Sequence, residues 1–217
     1  MKYLYSFESH ISYSDESLPK IDRCKKLSEE EFLDILKSKC KNFSFSNDEL
    51  WRNKIKDSDL QLFIPNYRRT KGITFPDFFN RIENDEEYPV VRKKSLIGGT
   101  KKETIKKLVG CDNYFVIPFD DSEIVFCPVI DMWAMVDNRG RTKDELINKE
   151  PVDKKHFIKV RYTKDFKIPY KELNIIANTY NITFGKDGTH GYEFFISSPC
   201  LLIHESKINW LKEIIVN

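Results

Sequence analysis

The sequence predicts an α+β fold in a single domain, because predicted helices come early, predicted strands concentrate in the second half, and aromatic residues are frequent. Aromatic residues make up 13% of the 217 positions, with 16 Phe and 10 Tyr against only 8 Gly. That composition is typical of a dense, β-rich core with few glycine turns. The length suffices for one domain with its own core and is short for two.

Helix signals occur at three places. Ser28 and Glu31 form a capping box ahead of apolar residues at helical spacing, which predicts a helix over 28–40. A similar box at Thr100 predicts a second, short helix. A third helix is predicted over 169–180, where a proline stands at the first helical position.

Strand signals are short runs of aromatic and β-branched residues bounded by turn residues. Strands are predicted over residues 114–118, 123–128, 157–162, 193–196 and 201–203. The polar segments 119–122 and 197–199 are expected to form hairpin turns between consecutive strands.

Charge and targeting signals favour no membrane and no obligatory nucleic-acid partner. Lys and Arg number 36 against 34 Asp and Glu, a formal charge of +2, so the global field demands no polyanion. No apolar run is long enough for a transmembrane helix, and the first residues lack the pattern of a secretory signal. A cytoplasmic protein is therefore expected.

Cysteine and histidine spacing indicates neither a disulfide framework nor a metal site. The five cysteines are odd in number and widely spaced, as in a reducing compartment, with no CxxC motif. The four histidines form no HExxH or similar pair on one helix face. No metal is expected.

Three segments carry residues suited to chemistry. The first is Leu50-Trp51-Arg52-Asn53, in which Arg52 could offer a guanidinium to a phosphate or could simply lie over Trp51 at the surface. The second is the segment 90–99, predicted to be a strand that contains Ser95 and runs into a turn at Gly98-Gly99. The third places Glu193 at the start of an apolar strand, where a carboxylate is costly to bury unless it is used. Its alternative is an edge-strand glutamate that faces water.

Taken in order, these segments resemble the Arg-Ser-Glu pattern of mono-ADP-ribosyltransferases, and more closely a group of phage-encoded ADP-ribosyltransferase-like proteins. The resemblance covers about residues 50–205. The segments that carry it are Leu50-Trp51-Arg52-Asn53, Asn66-Tyr67-Arg68-Arg69, Val91-Arg92-Lys93-Lys94-Ser95-Leu96-Ile97, Tyr114-Phe115-Val116-Ile117-Pro118-Phe119, Val125-Phe126-Cys127-Pro128 and Gly191-Tyr192-Glu193-Phe194-Phe195-Ile196.

The resemblance implies a split β-sheet core with peripheral helices over residues 50–217, preceded by a helical or irregular segment, 1–49, that packs on it. It implies NAD as substrate and transfer of ADP-ribose to a host macromolecule, in the cytoplasm of the host cell if the protein is phage-encoded.

The resemblance also implies roles for single residues. Glu193 would stabilise the oxocarbenium-like transition state and Ser95 would orient Glu193. Arg52 would bind the dinucleotide phosphates, and an aromatic side chain, with Trp51 and Tyr114 as candidates, would contact the cofactor. All of these side chains are expected to line one cleft.

Two other functions stay open. The chain departs from the family pattern at Asn53, where the family has glycine, and at Gly191, where enzymes that modify arginine carry Glu or Gln. A catalytically inactive scaffold that binds a host protein or nucleic acid is therefore the alternative. A nucleic-acid binder that uses the basic runs near Arg68, Arg92 and Lys101 is the third hypothesis, against which those runs would be a solvated face.

Overall fold

The computed structural model describes residues 24–65, 95–102, 111–128, 157–179 and 191–216. Within them the strands are β1 (Cys24–Lys26), β2 (Trp51–Ile55), β3 (Leu60–Phe63), β4 (Leu96–Gly99), β5 (Cys111–Pro118), β6 (Glu123–Cys127), β7 (Ile158–Arg161), β8 (Glu193–Ile196) and β9 (Cys200–His204). The helices are α1 (Glu29–Lys39), α2 (Tyr170–Thr179) and α3 (Ile208–Val216), the last preceded by a 3₁₀ turn, Glu205–Lys207.

The strands form one sheet in the order β1-β3-β9-β5-β2-β4-β8-β6-β7. Every neighbouring pair is antiparallel. The pair β2–β4 is reduced to one position, Trp51 opposite Gly99, whereas the other strand pairs share three to five. The sheet therefore consists of a five-stranded half that ends at β2 and a four-stranded half that begins at β4, joined at one point.

Two apolar clusters cover the sheet. The inner cluster takes residues from both halves and from α2, among them Leu50, Leu96, Tyr114, Phe126, Leu173 and Phe194. The outer cluster joins the other face of the five-stranded half to α1 and α3 and contains Phe32, Leu36, Trp51, Phe115 and Leu211. Because neighbouring residues of β5 and of β9 belong to different clusters, both strands are buried on both faces.

Helix α1 forms where the capping box predicts it. The Ser28 hydroxyl accepts from the backbone N–H of Glu31 at 3.1 Å, and the Glu31 carboxylate accepts from the Ser28 N–H at 2.9 Å. These bonds satisfy two donors that the first turn would otherwise leave unpaired. The helix buries Phe32 and Leu36 against the outer cluster, so residues 24–49 share the core of the sheet.

The predicted α+β class is confirmed. The helix over 169–180 and the five predicted strands form within one or a few residues of their expected bounds. Strands β1, β2 and β3 and helix α3 were not predicted. Gly98 and Gly99 belong to β4, so the turn predicted at these two residues is wrong. The helix predicted after Thr100 falls on residues 103–110, which lie outside the described ranges. No helix within those ranges is long and apolar enough to cross a lipid bilayer.

Both hairpin predictions are wrong. Segment 119–122 connects β5 to β6, but β5 pairs with β2 and β9 while β6 pairs with β7 and β8. Segment 197–199 likewise connects β8 to β9, which lie in different halves. Turn residues, such as Asp121 with its φ of 61°, reverse or redirect the chain without specifying which strand is met next.

Gly98 is required at the point where the halves meet. A methyl group at this position would lie 2.3 Å from the backbone oxygen of Trp51 and 2.4 Å from Cζ of Phe194. The first contact is to backbone of the neighbouring half, which a side-chain rotation cannot relieve. The closeness of β2 to β4 thus depends on the missing side chain at residue 98.

We expect Gly98→Ala to destabilise the protein by about 1–3 kcal/mol, because overpacking forces β2 and β4 apart. Gly98→Val should cost more. Intrinsic strand preference gives the opposite ranking, since valine favours strands and glycine disfavours them. Urea denaturation of the three proteins measures the order, and a valine variant as stable as wild type would contradict the close approach.

Candidate functional site

Three of the residues implied by the resemblance, Trp51, Arg52 and Glu193, lie at the contact between the two halves of the sheet. Across the sheet, Cys127 pairs with Glu193, Glu193 with Gly99, and Gly99 with Trp51. This row crosses the contact between the two halves. Trp51, Arg52, Gly99, Thr100 and Glu193 are together called the junction below.

Glu193 is the first residue of β8 and is 7% exposed. Strand β8 lies between β4 and β6, so the alternative of a water-facing glutamate on an edge strand is wrong. Because Phe194 belongs to the inner cluster, strand alternation directs the Glu193 side chain away from that cluster, to the same side as Trp51. A carboxylate at this depth is costly unless its charge is compensated.

Arg52 lies in the gap where β2 and β4 separate. It is 7% exposed, and its Nη1 donates to the carbonyl oxygen of Ile97 on β4. Arg52 pairs with Tyr114, a residue of the inner cluster, so its side chain leaves β2 on the side opposite Trp51 and Glu193. Arg52 and Glu193 therefore leave the sheet on opposite faces. The expectation that the implied site residues line one cleft is wrong for this pair.

Ser95 is not brought to Glu193. Its hydroxyl bonds the Ser197 hydroxyl at 2.7 Å, beside the pair Leu96–Ile196 at the far end of the β4–β8 ladder. Four residues separate Ser95 from Gly99, the partner of Glu193, or about 13 Å along a strand. At that distance the implied contact between the Ser95 hydroxyl and the Glu193 carboxylate is out of reach.

Thr100 supplies the hydroxyl next to the Gly99–Glu193 pair. Its N–H donates to the Tyr192 carbonyl at 2.9 Å, and its Oγ1 accepts from the Tyr192 N–H at 2.8 Å. These two bonds extend the β4–β8 pairing by one residue. They hold the backbone of Tyr192, the residue directly before Glu193, in place. The sequence identified Thr100 only as a helix cap, since a threonine before an acidic residue gives no sign of a partner 92 positions away.

Two tyrosines fasten α2 to the same strand ends. The Tyr170 hydroxyl donates to the Thr100 carbonyl at 3.1 Å, and the Tyr192 hydroxyl donates to Oδ1 of Asn174. The two rings lie 6.3 Å apart. Burial raises the pKa of both tyrosines, so both hydroxyls stay protonated and able to donate at neutral pH.

Trp51 presents an indole ring of fixed orientation. Its Nε1 donates to Oε2 of Glu49 at 3.0 Å, and the Phe115 ring meets it edge-on at 5.4 Å. The ammonium of Lys102 lies 5.3 Å from the ring centroid. Trp51 is 5% exposed, so side chains already enclose it.

Tyr114 is a core residue in this structure. It is fully buried in the inner cluster, and its hydroxyl donates to the Ser58 carbonyl at 2.8 Å. Burial raises the pKa of Tyr114 to about 12. Its ring faces are therefore occupied by packing, which leaves it no surface for a cofactor.

The junction has one group, the buried carboxylate of Glu193 on a central strand, that can stabilise a developing positive charge. The Arg52 guanidinium, on the opposite face, can instead bind an anion. Within the described part of the chain, no group of three or more His, Cys, Asp or Glu side chains could hold a metal ion. The chemistry available to these residues is charge stabilisation and hydrogen bonding.

Thr100→Val should destabilise the protein by about 1–3 kcal/mol, because the isosteric side chain leaves the buried N–H of Tyr192 without its acceptor. Thr100→Ser keeps the oxygen and serves as the matched control, with a smaller loss. Thermal unfolding monitored by circular dichroism measures both. Equal stability of the valine and serine variants would mean that the Oγ1 contact does not hold the strand ends.

Comparison with known proteins gives no independent assignment. No protein-family model, curated protein or solved structure matches the chain.

Proposed function

We propose that this chain is an NAD-binding, ADP-ribosyltransferase-like protein that transfers ADP-ribose to a macromolecule of a host cell, and that the junction is its active site. Phage origin and a cytoplasmic site of action belong to the same proposal. It rests on the resemblance of the ordered sequence segments together with the arrangement of the described residues.

The observation that carries the proposal is that Arg52 and Glu193 both adjoin the one backbone contact between the halves, although their side chains leave the sheet on opposite faces. The two are distant in sequence, and each is within one residue or one strand of the Trp51–Gly99 pair. A sheet divided at that pair is also what the resemblance implies for the core. Buried charged side chains on two halves of a sheet, beside the gap between them, favour a binding role over a purely structural one.

The proposed reaction mainly requires a carboxylate that is positioned near the ribose. Cleavage of the bond between nicotinamide and ribose develops positive charge on the ribose, and nicotinamide departs as a neutral molecule. An anionic Glu193 near the ribose would stabilise that charge and could accept a hydrogen bond from the ribose 2′-hydroxyl. The acceptor's nucleophilic atom then forms the new bond to the ribose carbon and loses its proton.

Thr100 takes over the orienting role that the resemblance gives to Ser95. The paired bonds between Thr100 and Tyr192 hold the residue directly before Glu193, and Tyr170 fixes Thr100 from α2. Arg52 is the phosphate ligand in this proposal. To serve as one, its guanidinium must reach through the gap between β2 and β4 to the face on which Glu193 lies, with N–H groups beyond the one that bonds the Ile97 carbonyl.

A catalytically inactive scaffold is the second candidate, and one observation favours it. The Arg52 guanidinium is already bonded to Ile97, so it contributes to the cohesion of the two halves without any ligand. A chain that had lost catalysis would keep this arginine for its structural role. It would then bind a host protein or nucleic acid through surfaces away from the junction.

Arg52→Ala should weaken NAD binding by about tenfold or more, since a charge-assisted contact from arginine to phosphate is lost. Isothermal titration calorimetry measures the change. Arg161→Ala, on the exposed face of β7, is the matched control and should bind NAD like wild type. An unmodified protein that binds no NAD would favour the scaffold.

Glu193→Gln should reduce nicotinamide release from NAD by on the order of a hundredfold while NAD affinity changes little, because shape is kept and charge is lost. Release is measured first with water and then with host lysate as acceptor. Glu123→Gln, an exposed carboxylate on β6, is the control. Release that is unchanged in Glu193→Gln would assign this carboxylate a structural role.

A further inference from the structure

A contiguous cluster adjoins the junction on the outer face of the five-stranded half. It consists of Trp51, which it shares with the junction, and of Lys102, Asn113 and Glu205, and is here called the Trp51 cluster. The Lys102 ammonium lies over the Trp51 ring and 2.6 Å from Oε2 of Glu205. The same carboxylate oxygen accepts from Nδ2 of Asn113 at 3.2 Å. The hydrogen bond from Lys102 lowers the pKa of Glu205.

The floor of the cluster, formed by Trp51 and Asn113, is buried, whereas its cover, formed by Lys102 and Glu205, is partly exposed. Trp51 and Asn113 are 5% and 9% exposed. Lys102 and Glu205, which close the cluster, have side chains that are 42% and 27% exposed. A lysine side chain is long and flexible, and an exposed ion pair of this kind contributes little to stability. Lys102 can therefore leave the ring of Trp51 at small cost.

One acceptor on this floor is not satisfied by Lys102. Within the described residues Oδ1 of Asn113 is buried and has no hydrogen-bond partner, although Nδ2 of the same amide is bonded to Glu205. A buried acceptor without a donor lowers the stability of the folded protein. A ligand that brings a donor to this oxygen while it keeps a positive charge beside Glu205 would remove that cost.

We propose that the Trp51 cluster is a docking site for an arginine side chain of a partner protein, occupied by Lys102 when no partner is bound. A guanidinium is flat and can stack on the indole of Trp51, where an ammonium makes only a point contact. Its N–H groups point in several directions in one plane, so it can donate to Glu205 and to Oδ1 of Asn113 together. Docking requires no NAD, although Trp51 belongs both to this cluster and to the junction.

The test uses the full chain and N-acetyl-arginine N-methylamide as the probe. Binding is followed through the indole N–H resonance of Trp51 in NMR spectra, assigned with Trp51→Phe. We expect saturable binding of the arginine probe and none of the citrulline equivalent, which has the same shape without the charge. Citrulline that binds as well as arginine would overturn the proposal.

Variants of the cover separate docking from nonspecific attraction. Lys102→Met removes the resident cation and should tighten probe binding about threefold to fivefold, whereas Lys101→Met should leave it unchanged. Glu205→Gln should weaken binding about tenfold or more. Tighter binding in neither lysine variant, or in both equally, would contradict occupation of the site by Lys102.

A further variant covers the case in which Lys102→Met does not fold. Lys102→Arg places a guanidinium on the chain itself, so it should close the site and abolish binding of the probe. Undiminished probe binding by a folded Lys102→Arg protein would overturn the proposal. Measured NAD binding of the same samples reports on the junction separately, because none of these substitutions changes Arg52 or Glu193.

Discussion

The fold depends on one backbone contact, the pairing of Trp51 with Gly99. Only a residue without a side chain at position 98 lets β4 come this close to the Trp51 carbonyl. Beyond this point the strands separate, and Arg52 fills the opening with a bond to Ile97 instead of a regular ladder. A polar side chain thus replaces the backbone hydrogen bonds that the diverging strands lose.

Burial of charge follows from this arrangement. Arg52 and Glu193 are both almost enclosed, and both belong to strands that have neighbours on each side. In such surroundings a charge interacts strongly with whatever reaches it, because water is not present to screen it. The same surroundings explain why the hydroxyls of Thr100, Tyr170 and Tyr192 are engaged in specific bonds next to Glu193.

The parts of the fold that local sequence determines could be predicted, and the parts that tertiary contacts determine could not. The capping box of Ser28 predicts a helix, and the apolar run that starts at Glu193 predicts a strand, because a few consecutive residues determine each of these elements. Strand pairing does not, so segments 119–122 and 197–199 were assigned to hairpins. The site shows the same division. Arg52 and Glu193 could be singled out as candidate site residues, but the register that brings Thr100, and not Ser95, beside Glu193 is a property of the paired strands.

The backbone crosses repeatedly between the two halves of the sheet, and these crossings are expected to slow the folding of the chain. Between β3 and β9 the backbone passes from one half to the other four times, so neither half is a continuous piece of sequence. Each half can complete its ladder only after the other has supplied intervening strands, and most native pairings join residues far apart along the chain. Such a topology has a high contact order, which slows folding and couples the halves into one cooperative unit. Neither half is expected to persist as an isolated fragment after cleavage of the chain.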